Sequence, residues 1–388
     1  MAYYRQPKFY SDFHCIGGNC PITCCSGWRI LWLKDEIDKL KSANCSAALR
    51  ELINTSFVPD KKTNDKNKFK INISSENNYI CPLQNKEGLC SIQLELGEEY
   101  LSETCRVYPR FSFYTSEVVL RSCTSSCVHA LEQICSNDNA MNLVNVELKH
   151  DAKIIQDTQI NKEKHPELNY RQQLFEFFYA IISKKNRSLE TSIILGALAA
   201  QKLTEYVEKG EAHRIPEIIK ALTPQLNAVS VPAFEKTQIN YSLSMNMLAK
   251  LVSEYAESNI LLKATENGEL QIDKYEKGKR MFNDLTKDKP YIIRNMALNF
   301  LFESNIPFLD IDRSIMENYC YFAATVATVK MIGYLTMLWE PNIHSFPIYV
   351  APFIRGMYAS LDDRGEKAFK TLKENNCFSP AHIAMMMK

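Results

Sequence analysis

Glycine is scarce in this sequence, and with it the loops that glycine builds around phosphates. The 388 residues include 12 glycines, about 3% against a usual ~7%. Neither G-x-G-x-x-G nor G-x-x-x-x-G-K-[ST] occurs. The sequence therefore carries no Rossmann-type dinucleotide loop and no P-loop, and it is a poor candidate for an ordinary Rossmann-type enzyme.

Neither sign of charge dominates, and no long apolar run is present. The chain has 46 Lys and Arg against 45 Asp and Glu, a net charge of +1, whereas a general nucleic-acid binder normally shows a broad basic excess. No stretch reaches the ~18 consecutive apolar residues of a membrane span. The first residues lack the apolar core of a secretory signal. We expect a soluble, cytoplasmic, monomeric protein with no nucleic-acid or membrane partner.

Cysteine, in contrast, is plentiful and unevenly placed. The chain has 13 cysteines, and 11 of them lie in the first 135 residues. In a reducing cytosol such a density indicates metal binding or redox work rather than disulfides. Eight form one pattern and are called the motif cysteines: Cys15, Cys20, Cys24, Cys25, Cys81, Cys90, Cys105 and Cys123.

The spacing of the motif cysteines leaves the metal open. The first four read C-x4-C-x3-C-C, with neither the C-x2-C pairs of a zinc ribbon nor the C-x3-C-x2-C of the common radical enzymes. Thiolates are soft ligands that suit Zn²⁺ and an iron–sulfur cluster equally well. Eight thiols could form one four-ligand site with four spare thiols, or two sites.

Beyond the cysteines the chain predicts a helical body. Residues 1–140 hold 11 of the 13 cysteines and strand-like stretches such as SFYTSEVVLRSC, whereas residues 165–388 show helical periodicity. Residues 243–259 and the segment Lys34–Ile53 are also predicted helices. We expect a mainly α protein, in which a Cys-rich metal-binding N-terminal module with short strands packs on a predominantly helical C-terminal body.

Three local signals sharpen the helix predictions. Ser188 is a plausible N-cap and Gly210 a plausible end for the helix between them. The stretch SIMENYCYFAATVATVKMIGYLTMLW is nearly apolar, but Glu317 and Lys330 interrupt it. It therefore predicts a buried central helix rather than a membrane span.

The cysteine pattern resembles one family. The opening C-x4-C-x3-C-C-x2-W, from Cys15 to Trp28, is similar to the start of the flagellin lysine-N-methyltransferases, which carry a zinc- or iron-chelating cysteine cluster. CPLQNKEGLC, CRVYPR, Cys123 and the later RNMALNFLFESNIPF look like that family's continuation. Five cysteines fall outside the pattern and are taken as ordinary thiols: Cys45, Cys127, Cys135, Cys320 and Cys377.

The resemblance implies an activity and its cofactors. It implies methylation of surface lysine ε-amines on flagellin, with S-adenosylmethionine as the methyl donor and a [4Fe–4S] cluster held by motif cysteines. Zinc stays the alternative metal. Four residues near the cysteines are candidates for donor binding: Arg106, Arg110, Tyr108 and Trp28.

Each donor-binding candidate has a plainer interpretation. Trp28 could stack on the donor's adenine or simply cover the cluster. Arg106 and Arg110 could grip the donor carboxylate or neutralise thiolate charge. Tyr108 could be a packed aromatic with a satisfied hydroxyl.

Mechanism and function class also keep alternatives. The lysine could attack the sulfonium methyl directly, which needs a base or a desolvated pocket because a free lysine has a pKa of ~10.4. Alternatively, the cluster could reduce the sulfonium. Outside enzymes, the chain could be a zinc-stapled binding module or a cysteine-rich redox or metal-delivery protein.

Overall fold

Strands gather in the first 147 residues, and helices make up most of the later chain. The computed structural model describes residues 3–61, 65–114, 118–147, 163–228, 265–266, 269–359 and 364–387. The strands are β1 (Tyr3–Pro7), β2 (Leu31–Leu33), β3 (Phe57–Pro59), β4 (Lys68–Ile71), β5 (Arg110–Tyr114), β6 (Val118–Cys123), β7 (Leu143–Glu147), β8 (Thr265–Glu266) and β9 (Glu269–Leu270).

The helices fall into two groups along the chain. Those of the N-terminal part are α1 (Phe9–Asp12), α2 (Lys34–Ser42), α3 (Ala47–Thr55), α4 (Ser91–Leu96), α5 (Glu103–Val107) and α6 (Val128–Ile134). Those of the C-terminal body are α7 (Arg171–Ile182), α8 (Leu189–Glu208), α9 (Ile215–Ala228), α10 (Ile272–Thr286), α11 (Tyr291–Glu303), α12 (Ile315–Thr336), α13 (Phe346–Ala359), α14 (Arg364–Glu374) and α15 (Pro380–Met387). The prediction of a mainly helical protein is confirmed.

Two small sheets organise the N-terminal part. The first has the order β5-β6-β1-β7, with β1 parallel to β6 and antiparallel to β7. The second has the antiparallel order β2-β4-β3 and places Trp32 opposite Phe69. The motif cysteines lie mostly in the loops and short helices between these strands.

The two sheets belong to two different hydrophobic cores. Trp32 of β2 and the apolar faces of α2, α3 and α4 form a small core of their own. Strand β6 and helix α6 instead share one large core with the C-terminal helices. The segment that leads from β6 into α6 therefore lies where the cysteine-rich part meets the helical body.

Helix α12 is the central helix of the body. Ser314 caps its first turn and exchanges hydrogen bonds with Glu317, and almost every later residue of the helix is buried. Helix α10 crosses it so closely that a Cβ on Gly278 would lie 2.1 Å from the Tyr334 carbonyl oxygen. The prediction of a buried central helix is confirmed.

Other local predictions have mixed outcomes. Ser188 accepts a hydrogen bond from the Thr191 amide at the start of α8, as predicted, and Gly210 follows that helix with φ +76°. The single helix predicted over 34–53 is wrong, because Ala43 is extended and Ser46 caps a new helix. The helix predicted over 243–259 lies outside the described residues.

The strand-like stretch SFYTSEVVLRSC forms a hairpin rather than one strand. Strands β5 and β6 pair in an antiparallel register that sets Arg110 opposite Cys123.

In the described part of the chain, no helix is long and apolar enough to cross a membrane.

Candidate functional site

Six cysteine thiols line one small cavity, which we call the cysteine cavity. Its volume is about 160 Å³. The cysteines in its wall are Cys15, Cys20, Cys24, Cys25, Cys90 and Cys127. Tyr108, His129 and Arg355 also contribute to the wall. Five of the eight motif cysteines thus share one space, although they are up to 75 positions apart in the sequence.

Backbone contacts hold the cysteine loops together. The Cys81 amide donates to the Cys25 carbonyl at 2.7 Å, and the Gly27 amide donates to the Tyr79 carbonyl at 2.9 Å. Gly27 has φ +75°, a conformation that favours glycine. At Gly18 a Cβ would lie 2.5 Å from the Glu87 carbonyl oxygen. Glycine therefore lies where two cysteine loops approach each other.

Cys24 differs electrostatically from its neighbours. A hydrogen bond from the Cys25 thiol and the positive charge of Arg355 together outweigh the effect of burial and lower the pKa of Cys24 to about 6. The pKa of Cys25 is raised in turn by that hydrogen bond and by burial. Cys24 is thus a thiolate at neutral pH and can act as a nucleophile or a metal ligand.

Burial keeps three other cavity thiols, Cys20, Cys90 and Cys127, neutral in the absence of a cation. Burial raises the pKa of Cys20 and Cys90, and it raises that of Cys127 to about 12. Cys81 and Cys105 are absent from the wall. Burial raises the pKa of each to about 12, and the charges of Cys90 and Cys24 act on both. Desolvated thiols of this kind ionise when a metal supplies the compensating positive charge.

Cys123 lies apart from the other motif cysteines. It is fully buried in the large core and is absent from the cavity wall. Arg110 and Glu303 act on it electrostatically, and burial raises its pKa. Its predicted role as a metal ligand stays a prediction.

Cys127 lines the cavity wall. It lies outside the cysteine pattern, and the sequence interpretation predicted an ordinary thiol. It stands at the N-cap of α6 and faces the charges of Cys20 and Cys24. A signal was present, since Cys123-x3-Cys127 repeats the spacing of Cys20-x3-Cys24.

The cysteine thiols of the wall are chemically suited to bind a soft metal. All thirteen cysteines lie in the described ranges and carry thiols rather than disulfides. Within those ranges, no group of three or more His, Cys, Asp or Glu side chains has metal-binding geometry. The thiols share a cavity without converging on one point, so a metal would draw its ligands from among the six wall cysteines.

Arg355 connects the helical body with the cysteine cavity. It lies on α13 and is 5% exposed, and its guanidinium donates to the carbonyls of Thr23 at 2.9 Å, Ser26 at 3.3 Å and Ser126 at 3.0 Å. Its Nε is buried with no hydrogen-bond partner in the described part of the chain. This arginine, the one charge in the apolar helix FPIYVAPFIRGMYA, was missed by the sequence analysis.

The four predicted donor-binding residues separate into two pairs. Tyr108 lines the cavity, and Trp28 packs on it with ring centroids 5.2 Å apart while donating to the Cys24 carbonyl at 2.7 Å. Arg106 and Arg110 are exposed and absent from the wall. Arg110 donates instead to the Phe13 carbonyl at 3.1 Å. Their predicted role in donor binding stays untested.

A second, larger cavity lies within the helical body. Its volume is about 660 Å³, and α8, α10 and α11 line it together with Arg187, Arg294 and the ion pair between Lys330 and Glu190. Ligand pockets usually span ~300–1,000 Å³. The cysteine cavity is smaller than that range.

Comparison with known proteins shows which family the chain resembles. Residues 175–386, more than half of the chain, match the family model of the FliB lysine N-methylase C-terminal domain. Two proteins named lysine-N-methylase, from Salmonella choleraesuis and Salmonella typhimurium, are each 24% identical over 327 residues, covering 78% of this chain and 78% of their own length. A flagellar biosynthetic protein, FliU of Salmonella muenchen, is 29% identical over 139 residues, 36% of this chain and 80% of its own.

No solved structure matches the chain. The family match covers the helical body, including Arg355, while the motif cysteines lie before it. Helix α13 carries Arg355 from the matched region into the cysteine cavity. The chain therefore belongs to the FliB lysine N-methylase family.

Proposed function

We propose that this protein methylates lysine ε-amines of flagellin with S-adenosylmethionine as the methyl donor. The observation that carries the proposal is the cysteine cavity, where a thiolate, Tyr108 and a buried arginine from the family-matched body meet. Relatives named lysine-N-methylase and a relative named as a flagellar biosynthetic protein support the reaction and the substrate.

The donor's methionine part fits the character of the cavity. The unpartnered Nε of Arg355 is a charged donor in a desolvated wall, and arginine recognises carboxylates well in such places. Trp28 covers Tyr108 from behind and is not in the wall itself. We assign the donor carboxylate to Arg355 in place of Arg106 and Arg110.

A [4Fe–4S] cluster is the metal group that we propose for the cavity. The candidate ligands are the wall cysteines, with Cys24 already ionised and Cys20, Cys25, Cys90 and Cys127 around the same space. When bound, such a cluster would anchor or reduce the sulfonium donor. A single Zn²⁺ would need only four of these thiols and would serve as a structural staple.

The cytoplasm is the compartment that we propose. The thirteen cysteines carry thiols, which persist in a reducing environment. A flagellin subunit would be modified there before export.

Metal content and methyl transfer test the proposal together. The protein is purified without oxygen, its iron, sulfide and zinc are measured, and it is incubated with purified flagellin and S-adenosylmethionine. We expect iron and sulfide in equal amounts and flagellin peptides heavier by whole methyl groups. One zinc per chain with no methyl product would favour the zinc-stapled binding module, and a labile cluster with no methyl product would favour the redox or metal-delivery protein.

Matched variants connect the result with the cavity. Cys24→Ser is expected to lose both iron and methyl transfer. Cys45→Ser, at a thiol between α2 and α3 that is absent from the wall, should keep both. Full activity in Cys24→Ser would contradict the proposed site.

A further inference from the structure

A chain of hydroxyl groups runs from the cysteine cavity to a carboxylate of the helical body. The Tyr108 hydroxyl lies 3.1 Å from the Ser126 hydroxyl, which lies 3.0 Å from the Thr124 hydroxyl. Thr124 in turn donates to the Glu303 carboxylate. We call these four residues the hydroxyl chain, and Tyr108 is the member that lines the cavity.

Counting protons shows which direction of the hydroxyl chain a relay needs. Each hydroxyl has one proton to donate. The Thr124 hydroxyl has two acceptors within reach, Ser126 and Glu303. When its one proton goes to the ionised Glu303, a relay needs the Ser126 hydroxyl to turn and donate to Thr124, and Tyr108 to donate to Ser126. The lone pairs of Tyr108 are then free to accept a proton from the cavity side.

The carboxylate at the far end occupies an unusual position. Glu303 is the last residue of α11, where the helix dipole disfavours a negative charge. Its carboxylate accepts bonds from the Ser125 amide at 3.0 and 3.2 Å, and no cation pairs with it in the described ranges. Burial raises the pKa of Glu303 to about 7, although the residue as a whole is only half-buried. A carboxylate with these properties can take up and release a proton near neutral pH.

Lysine methylation needs such an acceptor. A lysine ammonium has no lone pair for the methyl carbon, and a pKa of ~10.4 leaves about one amine in a few thousand at pH 7. We propose that the hydroxyl chain is a proton relay that deprotonates the substrate lysine in the cysteine cavity. This inference rests on the proposed function.

The proton and electron count of the step balances. One ammonium N–H bond breaks as its proton goes to Tyr108, each hydroxyl passes its own proton onward, and one O–H bond forms on Glu303. The amine lone pair then bonds to the donor's methyl carbon, and the C–S electron pair returns to sulfur, so the sulfonium becomes a thioether. Glu303 afterwards releases the proton to solvent.

Variants at Thr124 separate the relay from packing. Thr124→Val keeps the shape of the side chain but removes the hydroxyl, whereas Thr124→Ser keeps the hydroxyl. We expect Thr124→Val to methylate flagellin about 100-fold more slowly at pH 7, as for loss of a general base, and Thr124→Ser to stay within about threefold. Both should keep the iron content and the KM for flagellin.

The pH profile is the decisive measurement. In the unmodified protein, kcat should rise with pH through about 7, because Glu303 must be ionised to accept a proton. In Thr124→Val, Glu303→Gln and Tyr108→Phe that inflection should be absent, and kcat should rise about tenfold per pH unit toward the lysine pKa. Tyr79→Phe, an exposed tyrosine absent from the wall, is the control.

Other titrating groups act on the two ends of the hydroxyl chain. They are Arg355, Cys127 and Cys24 at Tyr108, and Cys123 at Glu303. Burial keeps Cys123 and Cys127 neutral over the range tested. Cys24 titrates at about 6 in the metal-free protein, and its contribution is shared by all the variants and the unmodified protein.

The outcomes distinguish this inference from the proposed function. If the unmodified protein transfers methyl groups and Thr124→Val equals Thr124→Ser at every pH, the relay is wrong while the methyltransferase stands. If the unmodified protein transfers no methyl groups at any pH, the proposed function is wrong and the relay falls with it. Should Thr124→Val fail to fold, Tyr108→Phe and Glu303→Gln carry the same comparison.

Discussion

The Arg355 guanidinium donates a hydrogen bond of 2.9 Å to the carbonyl of Thr23, across 332 positions of sequence. Thr23 directly precedes the Cys24–Cys25 pair, and the same guanidinium also reaches Ser126, the residue before Cys127. One side chain of α13 therefore fixes two of the segments that carry the wall cysteines. The arginine is buried, so its charge acts on the cavity with little screening.

Loss of Arg355 should open the cavity. Arg355→Gln removes the charge and most of the three carbonyl contacts, and hydrogen bonds from a charged donor contribute ~1.5–3 kcal/mol each before relaxation. We expect the free energy of unfolding to fall by about 3 kcal/mol and the iron content to fall with it, measured by urea unfolding and metal analysis.

A surface arginine provides the comparison for that variant. Arg214 pairs with Glu211 and Glu217 on the surface, and its change to Gln should leave the free energy of unfolding nearly unchanged, because solvent screens exposed pairs. Equal effects at the two arginines would show that Arg355 has no special role in the cavity.

Cys127 rather than Cys123 should matter for the metal. Cys127 lines the cavity, while Cys123 faces the core four residues earlier. We expect Cys127→Ser to lower the iron content of anaerobically purified protein at least twofold and Cys123→Ser to leave it unchanged, after normalisation to folded protein by circular dichroism. The reverse pattern would restore the ligand set that the family resemblance implies.

Local features of this fold could be predicted from the sequence, because they depend on neighbouring residues. Helical periodicity, the Ser188 cap and the burial of α12 are examples. The single helix predicted through Ala43 is wrong, although helical periodicity continues on both sides of that residue. The chain leaves the first helix there, and Ser46 caps the start of a second one.

The site itself could be predicted only in part, because contacts between distant segments leave no periodic signal. The cysteine pattern predicted one group of eight motif cysteines. The structure brings five of them into one cavity and adds Cys127, which lay outside the pattern. Nothing in the sequence relates Arg355 to Thr23 or Glu303 to Thr124. The one available hint was an isolated charge within an apolar helix, which also marks Lys330.

The pair of Lys330 and Glu190 should make stability depend on pH. Burial works against both charges, but Lys330 holds the pKa of Glu190 below its ordinary value. A carboxyl group whose pKa is lowered by folding stabilises the folded protein at pH values above the pKa of the unfolded chain, about 4.3. This stabilisation is lost as the pH falls through the lower pKa of the folded state. We expect the melting temperature to fall steeply in that acid range.

Glu190→Gln tests the pair directly. The variant leaves the Lys330 ammonium, 8% exposed, with the Met387 carbonyl as its remaining described partner. Breaking a buried pair costs ~3–5 kcal/mol, and we expect about 3 kcal/mol because Glu190 is partly exposed. The variant should also lose part of the acid dependence seen in the parent. A melting curve that is unchanged at pH 7 would show that the pair contributes nothing.

Cys24 should be the most reactive cavity thiol in the metal-free protein. Its thiolate, held by the Cys25 hydrogen bond and by Arg355, has a pKa of about 6, and the thiolate is the form that alkylates. Labelling by iodoacetamide, followed by peptide mass spectrometry, should therefore be independent of pH above about 7 and should slow about tenfold per unit below 6. Cys25→Ala should shift that midpoint upward, while Cys25→Ser, which keeps a donor, should shift it less. Cys24 labelling at the same rate as Cys90 across the whole range would show that no thiolate is stabilised in the cavity, and the metal would then have to ionise every ligand it binds.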